Sequence, residues 1–196
     1  MLRTLSLAAA MLSIGVAPAF AHLDPGQHGS FLAGVSHPLF GPDHILAMIA
    51  VGLWAALLGG RALWLVPAAF VGTMAFGFGA AATGAPLPFV EPVILASIVA
   101  IGLLAAMALD VPARVGMALV GFFALFHGHA HGGELGTAGA PSFAVGFLLA
   151  TALLHVTGIG IALGLGRLLG GTAGRVSTRL AGGATALAGL WLAVAG

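Results

Sequence analysis

Residues 31–58 read FLAGVSHPLFGPDHILAMIAVGLWAALL. This stretch is mostly apolar, and it is longer than the ~20 residues that an α-helix needs to cross the hydrocarbon core of a bilayer. Its first half contains Pro38, Gly41 and Pro42. A proline inside a helix removes a backbone hydrogen bond and its ring clashes with the preceding turn, so one straight helix is not expected. The stretch therefore predicts a membrane helix that is broken near Gly41 and Pro42.

The whole chain shares this apolar composition. Hydrophobic residues make up 60% of the sequence and charged residues only 6%, and the mean hydropathy is +1.15. Because a soluble domain carries about 25% charged residues, this chain needs lipid around it. The few arginines form no basic patch, so no nucleic-acid partner is expected. Cysteine is absent, which excludes disulfides and thiolate metal sites and leaves His, Asp and Glu as the strong ligands.

The N-terminus has the pattern of a secretory signal peptide over residues 1–21. Arg3 gives a positive start, an apolar stretch follows, and Ala19 and Ala21 form an A-x-A cleavage site. The alternative is an uncleaved first membrane helix. Cleavage would leave residues 22–196 as a single transmembrane domain that begins with His22 on the periplasmic side.

Six apolar segments follow the signal peptide, and the arginines indicate their orientation. With His22 outside, the loops after the first, third and fifth segments face the cytoplasm, and these loops hold every arginine of the mature chain. The positive-inside rule requires this distribution. The sequence thus predicts an all-α, six-helix bundle in the bacterial inner membrane with both mature termini periplasmic, and it leaves the oligomeric state open. The predicted segments are 31–58, 62–82, 90–109, 115–126 (continuing into the histidines that follow), 143–165 and 180–195, and the arginines are Arg61, Arg114, Arg167, Arg175 and Arg179.

A first group of ionisable residues lies inside the first segment, at His37, Asp43 and His44. Such residues cost about 2.5–3.5 kcal/mol each on insertion into a bilayer, so they imply partners or a function. In an unbroken helix the two histidines would be about 10 Å apart, too far for one ion. A break at Pro42 would let all three side chains converge as metal ligands. The alternative is that the broken helix is purely architectural.

A second group, FHGHAHGGE, occupies residues 126–134 at the end of the fourth segment. His127 and His131 stand four residues apart and Glu134 three further on, so the three share one helical face. Two imidazoles and a carboxylate at this spacing suit a divalent metal ion. His129 points elsewhere and is predicted to gather ions from the surface. The alternative is a solvated histidine-rich loop.

Three further residues are weaker candidates for metal binding. Glu91 opens the third segment, where it is either a ligand or a carboxylate favoured by the helix dipole. His155 lies near the middle of the fifth segment; a packing role is favoured over contact with an ion in transit. After cleavage, one interpretation is that the α-amine and imidazole of His22 chelate a metal ion together. The favoured alternative is that His22 belongs to a mobile N-terminal tail.

These two motifs carry a family resemblance. The patterns H-P-x-x-G-x-D-H and F-H-G-x-A-H-G-x-E stand complete at residues 37–44 and 126–134, and with them the chain resembles the HupE/UreJ family of bacterial nickel and cobalt permeases. The resemblance implies nickel or cobalt supply to hydrogenase or urease maturation, without settling which ion is carried. It also implies which positions are of ligand type: His37, Asp43 and His44 in the first motif, and His127, His131 and Glu134 in the second.

The leading hypothesis is uptake of a divalent transition-metal ion rather than an enzymatic reaction. No phosphate-binding loop is present, so either facilitated diffusion or proton coupling would move the ion. An intramembrane zinc metallohydrolase is a second hypothesis and would need a general base such as Glu134 or Glu91. A third is a protein that binds or senses metal without moving it. Imidazole and carboxylate ligands favour nickel, cobalt and zinc, and also admit copper(II).

Overall fold

The computed structural model describes residues 30–132 and 140–195 of the chain. The predicted signal peptide, His22 and Glu134 lie outside these residues. Within them the regular structure is entirely helical, which confirms the all-α class. The helices are α1 (Phe31–Phe40), α2 (Pro42–Leu58), α3 (Ala62–Ala82), α4 (Val90–Met107), α5 (Ala113–Gly132), α6 (Ala140–Leu169) and α7 (Gly171–Ala195).

The predicted break in the first apolar segment is present. Gly41 is extended, with ψ 112°, and Pro42 is the first residue of α2. A proline is well suited to this position because the amide proton it lacks would have no helical partner there. The axes of α1 and α2 differ by 78°. The break therefore places Asp43 and His44 in the first turn of a new helix.

Several helices are suited to crossing a bilayer, as expected of a multi-pass membrane protein. Helices α3, α4, α6 and α7 are each long and apolar enough, and the bent pair α1–α2 forms a fifth candidate span. Helix α5 has 20 residues, but the three histidines near its end lower its hydropathy. Among the described residues there are thus four or five candidate spans, and the six-helix count stays a prediction.

The last two helices are longer than predicted. Residues 166–169 continue α6, and α7 already begins at Gly171, after a single connecting Gly170 with φ 81°. Arg167, Arg175 and Arg179 accordingly lie on helices, as does Arg114 at the start of α5, and the assignment of these four arginines to loops was wrong. Hydropathy marks only the apolar part of a helix, whereas arginine has good helix propensity and lets the helix continue beyond that part.

Close helix contacts hold the bundle together. The most extensive pairing is α3 with α5, followed by α4 with α7, and both α1 and α2 pack on α6. At Gly128 of α5 an added Cβ would meet the Met74 carbonyl oxygen of α3, and at Gly52 of α2 it would meet the His155 carbonyl oxygen of α6. Residues without a side chain let helix backbones approach this closely. Histidine side chains from α1, α2 and α5 meet at Phe147 of α6.

Candidate metal centre

Three histidines from three helices converge in the bundle. His37 lies near the end of α1, His44 in the first turn of α2, and His131 in the last turn of α5. The Nε2 atom of His131 is 3.2 Å from Nε2 of His37 and 3.2 Å from Nε2 of His44. Because α1 ends before Pro42, the rings of His37 and His44 have centroids only 5.2 Å apart. The break thus removes the separation that a straight helix would impose.

The spacing of the three ring nitrogens matches that of ligands around one ion. Each of these side chains offers a nitrogen, and the three atoms lie within 4.8 Å of one another. Imidazole nitrogens bind zinc at 2.0–2.1 Å, so two of them in a tetrahedral or octahedral shell are about 2.8–3.4 Å apart. The two 3.2 Å distances fall in this range. We call His37, His44 and His131 the outer cluster.

Asp43 lies behind His44 rather than within the outer cluster. Its Oδ2 atom is 2.8 Å from Nδ1 of His44. A carboxylate beside Nδ1 favours the tautomer that carries the proton on that atom, which leaves the lone pair of Nε2 free to bind a metal ion. Histidine ligands in metalloproteins are commonly oriented by such a carboxylate. The contact is close enough for an ion pair but is not aligned as a hydrogen bond, and Asp43 adds negative charge next to the cluster.

An aromatic wall surrounds the outer cluster. The ring of Phe147, which is fully buried, packs against all three imidazoles at centroid distances of 5.2–6.1 Å. Phe143, one turn earlier on α6, also packs against His37. His44 is buried, whereas His37 and His131 are half-buried. The cluster therefore has an apolar wall on the α6 side, and His37 and His131 remain partly exposed.

His127 lies next to the outer cluster but has its own surroundings. It is fully buried, and its ring centroid is 5.1 Å from that of His44. Its Nε2 atom is 2.9 Å from the Ser97 hydroxyl, which in turn donates a hydrogen bond to the Ile94 carbonyl at 2.6 Å. His127 and His131 share one helix, yet only His131 belongs to the group of close ring nitrogens.

The other described candidates lie outside the outer cluster. The Nε2 atom of His129 is 2.7 Å from the Ala85 carbonyl oxygen. Glu91 is exposed in the first turn of α4. His155 is buried in the middle of α6, and neither of its ring nitrogens has a hydrogen-bond partner in the described ranges 30–132 and 140–195.

Two residues of this region were not predicted from the sequence. Ser97 is a lone hydroxyl on an apolar helix, and this isolation is the one sign of its role beside His127. Phe147 gives no sign at all, because phenylalanine is ordinary in a membrane helix.

The sequence has clear relatives. The profile of the family described as HupE / UreJ protein matches residues 9–192. The chain is also similar to a protein named Protein HupE from Rhizobium leguminosarum bv. viciae. The two are 50% identical over 179 residues, which cover 90% of this chain and 92% of the relative. No solved structure matches.

A profile match over nearly the whole chain and a relative of this identity and coverage settle the family. The resemblance seen in the two motifs is therefore confirmed. The chain belongs to the HupE/UreJ family, whose members are permease-type membrane transporters rather than enzymes.

Proposed function

We propose that this protein takes up a divalent transition-metal ion, nickel or cobalt, across the bacterial inner membrane. The family is associated with nickel and cobalt transport. The observation that carries the proposal is the convergence of three imidazoles, in which Nε2 of His131 is 3.2 Å from Nε2 of both His37 and His44. Contacts this short between ring nitrogens need a proton or a cation between the two atoms. A divalent ion at this place would be bound by three of its preferred nitrogen ligands.

The ligand set suits an ion that binds and then leaves. The cluster offers imidazole nitrogens and no thiolate, and two of its three histidines are half-buried, so exchange with the surface is open to them. A transport site must bind well enough to admit the ion and weakly enough to release it. We include Glu134 as a further ligand on the strength of the second motif. The natural consumer of the ion in this proposal is hydrogenase or urease maturation.

Reconstitution into liposomes tests the proposal directly. The purified protein is expected to give saturable uptake of radiolabelled nickel or cobalt without any nucleotide, because the sequence offers no phosphate-binding loop. Zinc and copper(II), which the same ligands also bind, serve as competitors, and an imposed pH gradient separates proton coupling from facilitated diffusion. Metal that binds to the protein without entering the liposomes would favour the binding or sensing alternative. Protein-free liposomes give the background.

The orientation of the chain can be tested separately. We expect the mature N-terminus and the C-terminus to be periplasmic, because all five arginines of residues 22–196 then belong to the cytoplasmic side. Alkaline phosphatase fused after Gly196 should be active in cells, and green fluorescent protein at the same place should be dark. The reverse pattern would contradict the topology. N-terminal sequencing of the purified protein would show whether cleavage follows Ala21.

A further inference from the structure

Two buried histidines take no part in the outer cluster. His127 is 0% exposed and His155 is 1% exposed. Both pack against the ring of Phe70 on α3, with centroid distances of 5.7 Å for His127 and 5.0 Å for His155. The centroid of His127 is in turn 5.1 Å from that of His44. A series of contacts therefore leads from the outer cluster through His127 and Phe70 to His155, near the middle of α6.

The hydrogen bonds of His127 determine which of its nitrogens is free. The hydroxyl of Ser97 has one proton, and it donates this proton to the Ile94 carbonyl. Ser97 can then only accept from His127, so Nε2 carries the ring proton. Nδ1 consequently has its lone pair, and this atom is buried without a hydrogen-bond partner in the part of the chain that the structure describes. His127 is held in the tautomer of a metal ligand, with its ligand atom unused.

His155 is costly to the fold as it stands. A buried polar group without a hydrogen-bond partner destabilises a fold, and among the described residues both ring nitrogens of His155 are in this state. A leucine at this position would avoid that cost. One turn earlier on the same face of α6, the Thr151 hydroxyl contacts the sulphur of Met74 at 3.8 Å. An ionisable residue in a membrane span without a structural partner points to an ion pathway.

We propose that His127 and His155 form an inner station that receives the divalent transition-metal ion from the outer cluster. This inference rests on the proposed function and extends it from one site to two. His44 has Asp43 behind it, whereas no carboxylate lies within salt-bridge distance of His127 or His155 in the described parts of the chain. Metal-bound histidines gain affinity from such support. The inner station is therefore the weaker of the two, as the release of an ion toward the other side of the membrane requires.

The test combines metal binding with uptake in variants of the full chain. Cobalt(II) is titrated into purified protein and followed by its visible absorption, which reports the ligands around the ion. His155→Leu fills the space without a nitrogen. We expect it to keep wild-type affinity at the outer cluster and to lose at least about tenfold in uptake. His155→Gln keeps a polar side chain of similar length, and the same loss is expected.

A second pair of variants isolates the inner station. With the outer cluster removed by His37→Ala and His131→Ala, weaker cobalt binding is expected to persist, and adding His155→Leu should abolish it. Thr157→Ala serves as the matched control, because this threonine is exposed on the same helix and its hydroxyl donates to the Leu153 carbonyl of that helix. Wild-type uptake by His155→Leu, or residual binding that does not depend on His155, would overturn the inner station. If the wild-type protein does not transport metal, the proposed uptake function is contradicted. The cobalt titration would still show whether His155 binds an ion.

Discussion

Replacing His44 with alanine is expected to reduce nickel or cobalt uptake to the background of protein-free liposomes. His44 is the buried member of the outer cluster, and its Nε2 atom is 3.2 Å from that of His131. Without it the two remaining imidazoles are half-buried and have no third nitrogen to complete the site. Uptake should be measured per amount of protein in the membrane, so that a loss of insertion is not mistaken for a loss of transport.

The Asp43→Asn variant is expected to lower uptake less than His44→Ala does. The amide keeps the size of the side chain and removes the charge beside His44 Nδ1. Loss of such a supporting group weakens metal binding by about 10–100-fold, so uptake should recover at high metal concentration, whereas His44→Ala should not. Thr83→Ala, which alters an exposed hydroxyl bonded only to the Ala80 carbonyl, should behave as wild type. Wild-type uptake at low metal by both His44→Ala and Asp43→Asn would remove the outer cluster from the pathway.

The second large effect is expected in folding. Gly52→Ala would place a Cβ against the carbonyl oxygen of His155, a backbone atom that no side-chain rotation can move. Overpacking a close contact costs 1–3 kcal/mol in ordinary cores, and a clash with backbone should exceed about 3 kcal/mol. Helices α2 and α6 would have to separate. We expect much less inserted protein and a markedly lower thermal midpoint of the purified protein in detergent.

Gly160→Ala is the matched control for Gly52→Ala. An added Cβ at Gly160 meets nothing within 4 Å, and alanine is the better helix former by up to about 1 kcal/mol. This variant should therefore be as stable as the wild type or slightly more so. Equal thermal midpoints for Gly52→Ala and wild type would show that the backbones of α2 and α6 are not in close contact at Gly52.

The sequence was sufficient to predict the break in the first segment, because proline chemistry acts locally. Pro42 dictates where α2 begins whatever surrounds it. The meeting of His37 and His44 follows from that break. The place of His131 beside them depends on how α5 packs, and the motif only suggested it.

Other features depend on packing that periodicity does not reveal. His127 and His131 share a helical face, yet one turn of rise is enough to put His131 with the outer cluster and His127 beside Ser97. Asp43 and His44 are adjacent in sequence, and only the structure shows Asp43 Oδ2 beside the ring nitrogen of His44. Likewise Gly158 contacts α2 while Gly160 faces open space, although nothing in their neighbouring sequence separates them.

Close glycine contacts join the helices that carry the outer cluster in separate groups. Backbone contact at Gly52 joins α2 to α6, and contact of Gly34 with the Phe143 carbonyl joins α1 to the same helix. Gly128 joins α3 to α5 in the same manner. His37 and His44 lie on α1 and α2, which both pack on α6, whereas His131 lies on α5, which packs on α3. An ion in the outer cluster would therefore tie the helices that pack on α6 to the α3–α5 pair, and binding of the ion would stabilise this arrangement of the helices.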